Sequence, residues 1–399
     1  MRISTANAYN SSLDSLMNRQ ATLTSTQEQM TTGKRVNRAS DDPAAAARSE
    51  RALASEQRSI ANQRAVDASN NAMTLTEGAL GDADNLLQQV REALVSAGNA
   101  SYSDTDRLGV ANQIADLRSQ LLAVANRADG SGTYLFGGQG ATQAPFSDVP
   151  GGVQFQGTSG NVQSASGEAL PLTMDGESTW MKSRTGNGVF ATSVVTSTGS
   201  ARIDTGSVIN PSAITGSTYS IQFSVGGAGT TYSVLKDGLA TPLTNVAFTP
   251  GQAIQMDGMS TTITGQPANG DAFQLAPSTA SLSVFDVLDK AVANLKTPGR
   301  TDTQIAQANT FDLNNVDTVL NQVLSSRSQI GATMNRIDSA TGRLSALKLS
   351  SQTERSNAED LDMTQAISDF SNQQTGYDAA LKAYSMVQRL SLFNYLSNP

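Results

Sequence analysis

The side chains able to do chemistry in this 399-residue chain are mainly carboxylates, because it contains neither His nor Cys. Without His it lacks the commonest general base and metal ligand near neutral pH. Without Cys it has no disulfide, thiolate nucleophile or iron–sulfur ligand. Zinc sites built from Cys and His, Cys proteases and Ser-His-Asp hydrolases are excluded together. Asp175, Glu177, Asp204, Asp257 and Asp271 share one stretch of chain with Trp180 and Tyr232. A coupled acidic pair there would suit glycoside hydrolysis, and the aromatics could stack on a sugar. Sequence alone brings no two of these groups together. Asp41-Asp42 and Glu359-Asp360-Asp362 could act as metal or acid–base carboxylates. Each precedes a periodic segment, however, and helix capping is the favoured reading. Gly137-Gly138-Gln139-Gly140 and Gly226-Gly227-Ala228-Gly229 lack the GxxxxGK[ST] frame and read as turns or hinges. Lys34-Arg35-Val36-Asn37-Arg38 is a basic cluster, read either as a solvated loop or as an ion-pair contact to another subunit. No catalytic residue, cofactor or metal is expected.

Net charge is −8 and the sequence pI is about 4.7, so no nucleic-acid partner is expected. Hydrophobic residues make up 38% and aromatics 5%, which is thin for one large globule. The composition suits long helices with narrow Ala/Leu seams. The polar start MRISTANAYN predicts no cleaved secretory signal, and the lack of a long apolar run predicts no membrane insertion.

The elements that must position these residues are legible from periodicity. Leu16, Leu23 and Met30 recur at seven, with Leu13 alongside and Tyr9 one step earlier. Thr31-Thr32-Gly33 then predicts a helix stop, and Ser40-Asp41-Asp42-Pro43 a new start. Val66, Met73, Leu80, Leu87 and Leu94 recur at seven beyond it. Gly78 and Gly81 predict a bend or a close backbone contact there. Ser103 or Asp104 is placed to cap a third helix bearing Ile114, Leu117 and Leu121. In the last third, Val284 to Leu295 predicts a short helix closed by Thr297-Pro298-Gly299. A long helix follows with Leu320, Val323, Ile330, Met334 and Ile337, and a final one with Ile367, Phe370, Tyr377, Leu381 and Tyr384. A sustained 3.5-residue period implies coiled-coil packing. Gln20, Gln27, Gln374 and Gln388 sit at seam positions of the first and last helices, so those helices would be marginal alone.

Nineteen of the 33 glycines fall within 141–280. There Tyr219, Ile221, Phe223 and Val225 alternate with polar residues, as do Tyr232 and Val234, which predicts two antiparallel strands. Val153/Phe155, Ile254/Met256, Ile263 and Phe273 predict further strands in one compact β domain. The fold class is therefore mainly α, with long antiparallel coiled-coil helices from both chain ends and a small inserted antiparallel β domain. We expect terminal segments 1–42 and 351–399 to be disordered in the monomer, helical rod segments 43–140 and 280–350, and an outer β domain at 141–279.

Both ends resemble the flagellin superfamily. The resemblance rests on Gln29-Met30-Thr31-Thr32-Gly33-Lys34-Arg35-Val36-Asn37, Ser40-Asp41-Asp42-Pro43-Ala44-Ala45, Asn70-Asn71-Ala72 and Thr76-Glu77-Gly78-Ala79-Leu80. Arg327-Ser328-Gln329-Ile330-Gly331-Ala332, Asn335-Arg336, Glu359-Asp360-Leu361-Asp362-Met363 and Leu392-Phe393-Asn394-Tyr395-Leu396 extend it. The start Met1-Arg2-Ile3-Ser4-Thr5, Asp42-Pro43 and Tyr134-Leu135-Phe136-Gly137-Gly138 are more similar to the family's hook–filament junction branch than to filament flagellins. The resemblance implies an exported structural protein of the bacterial flagellum. Its implied partners are other copies of itself in a ring or helical assembly, a neighbouring hook-associated protein, flagellin and a flagellar export chaperone. It also implies assembly through Leu13, Leu16, Leu23, Met30, Ile367, Phe370, Tyr377, Leu381 and Tyr384. Filament flagellin is the second reading, and a carbohydrate-binding or hydrolytic module in 141–279 the third.

Overall fold

The computed structural model describes residues 2–164, 167–227 and 229–396. Ala228 and the side chains of Met1 to Thr5, Gln388 and Leu392 to Leu396 lie outside the described residues. Local signals set the helix limits. Helix α1 (Arg2–Thr32) stops before Gly33, whose φ of 71° is the left-handed conformation glycine adopts without strain. Helix α2 (Pro43–Ala97) opens on a proline, whose absent N–H would be unpaired there anyway. Asp42 Oδ1 accepts the Ala45 N–H at 2.9 Å and caps it. Ser103 caps α3 (Asp104–Ala125) in a reciprocal box with Asp106. Gly78 and Gly81 neither break α2 nor mark a tight approach. An added Cβ would meet nothing within 4 Å at Gly78 and only Arg327 Nη2 at 3.9 Å at Gly81. The fully buried Ala79, Leu80 and Ala83 around them offset the glycine cost.

The middle of the chain is a series of short strands: β1 (Phe146–Val149), β2 (Gly152–Phe155), the short α4 (Gly176–Trp180), β3 (Ser183–Arg184), β4 (Phe190–Thr196), β5 (Arg202–Ile203) and β6 (Ser207–Val208). Then come β7 (Tyr219–Gly226), β8 (Gly229–Lys236), β9 (Leu239–Ala240), β10 (Val246–Ala247), β11 (Ala253–Met256), β12 (Met259–Thr264), β13 (Ala272–Pro277) and β14 (Ala280–Leu282). The pairings among these strands are antiparallel. The main sheet runs β10-β8-β7-β13-β4, with β9 also on β8. The β7–β8 hairpin keeps its register from Tyr219↔Lys236 to Gly226↔Gly229. A second sheet, β11-β12-β5 with β6 on β12, faces the same core of Phe190, Ile221, Phe223, Val234, Ile263 and Phe273.

The inserted region has two cores rather than the single one expected. Hairpin β1–β2 belongs to a separate aromatic cluster. Trp180 meets Phe136 edge-on at 5.2 Å and stacks on Phe285 at 6.2 Å, with Phe146 and Phe155 beside them. Phe285 lies on α5 (Val284–Lys296), so this cluster binds the hairpin to the helices. Helices α6 (Asp302–Glu359) and α7 (Met363–Leu396) complete the chain.

The chain forms two compact units. One joins 1–64 with 340–399; the other is 65–339. The division falls inside α2 and α6, at places where neither helix is interrupted. No helix among the described residues is long and apolar enough to cross a membrane.

Candidate assembly surface

In the 65–339 unit the heptad residues form the interior. Val66, Met73, Leu80, Leu87, Leu94, Ile114, Leu117, Leu121, Leu320, Val323, Ile330 and Ile337 are buried, and Met334 is half-buried. Arg327 sits at a seam position because two α2 acids receive it. Its Nη2 donates to Glu77 Oε1 at 2.6 Å and its Nη1 to Asp84 Oδ2 at 3.4 Å. Glu77 holds the guanidinium pKa above its usual value. Arg118 of α3 bridges Asp148 of β1 at 2.6 Å and Asp289 of α5 at 2.9 Å.

In the other unit α1 and α7 pair side by side, but thinly. Leu16 and Ala366 are buried, as is Thr26, whose Oγ1 donates to Gln373 Oε1 at 2.8 Å. The Tyr384 hydroxyl donates to Tyr9 at 2.6 Å, and the rings lie 5.6 Å apart. Leu13, Leu23, Met30, Phe370, Tyr377 and Tyr384 are half-buried, while Ile367 and Leu381 are 54% and 41% exposed. Met17, at 58%, is a further exposed apolar group that heptad counting passed over, because it lies off the seam.

The loop at 33–42 and the turn at 360–362 grip each other. Arg35 N–H donates to Glu359 O at 2.7 Å, and Leu361 N–H to Gly33 O at 3.0 Å. Lys34 pairs with Glu359 at 3.2 Å, Arg35 with Asp42 at 3.1 Å, and Arg38 with Glu28 at 3.4 Å. Arg35 Nη2 also donates to Ala358 O. Asp41 Oδ2 accepts the N–H groups of Asn37 and Arg38. The Ala45 N–H first, then Arg35, holds the Asp42 carboxyl below its ordinary pKa. The basic cluster therefore has partners within its own chain, and the acids serve as caps and loop ties.

The inserted carboxylates are likewise engaged in structure. Asp175 caps α4 through the Glu177 and Ser178 N–H groups. Glu177 accepts from Ser159 and pairs with Lys182. Asp204 accepts from Thr261 Oγ1 and the Thr262 N–H, and Asp257 from Lys236 and Tyr219. Asp271 is buried, which raises its pKa. The N–H groups of Thr198, Ala268 and Gly199 outweigh this and hold it low. Trp180 is fully buried, so no sugar can stack on it, and Tyr232 is half-buried against Phe223. Among the described residues no cluster of three acids is placed to hold a metal ion.

Paired terminal helices, a helical layer and an inserted set of antiparallel sheets define a flagellin-type structural protein. The family model for the bacterial flagellin N-terminal helical region matches residues 3–141, and that for the C-terminal helical region matches 313–396. Flagellar hook-associated protein 3 of Escherichia coli is 27% identical over 397 residues, covering 98% of this chain and 99% of its own. The crystal structure of hook-associated protein 3 from Legionella pneumophila superposes with a TM-score of 0.72 at 28% identity, over 76% of this chain and 97% of that one. A flagellar junction protein FlgL structure from the same organism is 30% identical, with a TM-score of 0.64, over 69% of this chain and 94% of that one. The flagellin of Bacillus subtilis, by contrast, matches over 35% of this chain. The chain belongs to the hook-associated protein 3 (FlgL) family.

Proposed function

We propose that this chain is a structural subunit of the bacterial flagellum that joins hook to filament. One observation carries the reading: hook-associated protein 3 relatives correspond to it from end to end, inserted region included. The flagellin relatives correspond over about a third of its length. Its work is mechanical. Copies bury the sparse seams of α1 and α7 against each other, and the exposed Met17, Ile367 and Leu381 support that use. In this reading the subunit contacts another hook-associated protein on one side and flagellin on the other. It travels to the flagellum with a cytoplasmic chaperone on its C-terminal helix. Segments 1–42 and 351–399 form the assembly core, 43–140 and 280–350 the helical layer, and 141–279 the outward part.

Deleting the gene tests the reading. The deletion strain should secrete flagellin into the medium and build no filaments, and normal filaments in that strain would refute it. Abundance separates the filament reading, since a junction subunit is a trace component of sheared filaments and a flagellin is their bulk.

A further inference from the structure

Helix α2 presents a face of arginines that no described carboxylate pairs with. Arg48, Arg51 and Arg58 are all exposed, and no carboxylate of the described residues lies within 4.0 Å of any of them. Steps of three and seven residues set them on one helix face, over about 15 Å of axis. The neighbouring positions Ala44, Ala47 and Ala54 are exposed and small, so a second chain can approach closely. Beside them runs a groove of about 540 Å³, lined by Arg48, Arg51, Ala52, Glu354, Asn357 and Ala358.

Charge is also divided unevenly along the chain. The 1–64 and 340–399 unit has 14 Lys and Arg against 12 Asp and Glu, a net +2; the 65–339 unit has 13 against 23, a net −10. Together these give the −8 of the chain. We infer that the Arg48–Arg51–Arg58 face receives the acidic 65–339 unit of a second copy of this chain. The inference rests on the self-assembly proposed above and adds which surfaces meet. Exposed ion pairs contribute little affinity each, but they fix orientation and reject wrong partners.

A photo-reactive benzoylphenylalanine encoded at Ala54 tests this in assembled flagella. Motility of the labelled strain tests the junction reading by itself. Irradiation should join residue 54 to peptides from 65–339 of a second copy. Crosslinks confined to another flagellar protein, or to 1–64 or 340–399 of a second copy, overturn the inference, as does their absence in cells that swim. If the probe at Ala54 blocks assembly, Gln57 at the edge of the face carries it instead. R48E/R51E/R58E should leave the thermal melt of the monomer unchanged and cut crosslink yield about tenfold, equivalent to about 1.4 kcal/mol. The triple Lys variant should retain the yield. Wild-type yield from the folded Glu variant refutes the electrostatic contact.

Discussion

At the scale of single residues, the acids that drew attention in the sequence are capping and tying groups, and the unusual one was not legible there. Asp312 of α6 is buried, and burial pushes its pKa up to about 6, opposed by Asn294, Arg300 and Lys290. Asn294 Nδ2 donates to both of its oxygens, at 3.1 and 2.9 Å. Its partner lies on another helix, so no local pattern announces the site. The folded-state pKa exceeds the unfolded value of 3.8, so the protonated acid favours the fold. That stability is fully present below about pH 4 and is lost as pH rises through 6. The difference amounts to about 3 kcal/mol. Asp129, held down at about 2 by Ser131 and Thr133 against the opposing effect of burial, works the other way and loses its contribution as pH falls from 3.8 through 2. Thermal melts of wild type and Asp312→Asn between pH 4 and 7 should separate the two groups. The wild type should melt lower as pH rises through 6, and the variant should lack that slope. Trp180→Ala should cost about 3–5 kcal/mol in denaturant unfolding, because it empties the centre of an aromatic cluster; an unchanged midpoint would contradict that packing.

At the scale of elements, the helices and the β7–β8 hairpin were readable because period and punctuation agree. Leu80, Leu87 and Leu94 repeat at seven and are buried, and Gly33, Pro43 and Ser103 stand at helix ends. The grip between 33–42 and 360–362 was not readable, because it joins segments more than 300 residues apart. The two-core division of the insert was hidden for the same reason: Trp180 and Phe285 meet only through the fold. Asp42→Ala should speed hydrogen exchange at Ala45 and Ala46 several-fold while leaving the centre of α2 unchanged, since a cap acts on the first turn alone. Arg327→Met should cost less than about 1 kcal/mol, because its partly exposed pairs with Glu77 and Asp84 are screened by water. A double-mutant cycle with Glu77→Gln measures the coupling.

At the scale of the whole molecule, the chain keeps most of its buried side chains in the 65–339 unit and leaves the pairing of α1 with α7 sparse. Removing 1–35 and 366–399 should therefore leave a cooperatively melting protein that no longer assembles. Loss of the melt would show that the terminal helices are needed for folding. Modest hydrophobicity agrees with a subunit that completes its burial among copies. The pairing of β3 with β14 has a further consequence. Ser183 and Leu282 face each other across one ladder, so the 98 residues between them leave and rejoin the helical scaffold through a single narrow doorway. Changes of length within this stretch are tolerated where they keep its contacts with α6, where Gln307 bonds the Ile203 backbone and Phe311 packs on the sheet core. That makes its loops away from α6 a natural cassette for carrying foreign peptides.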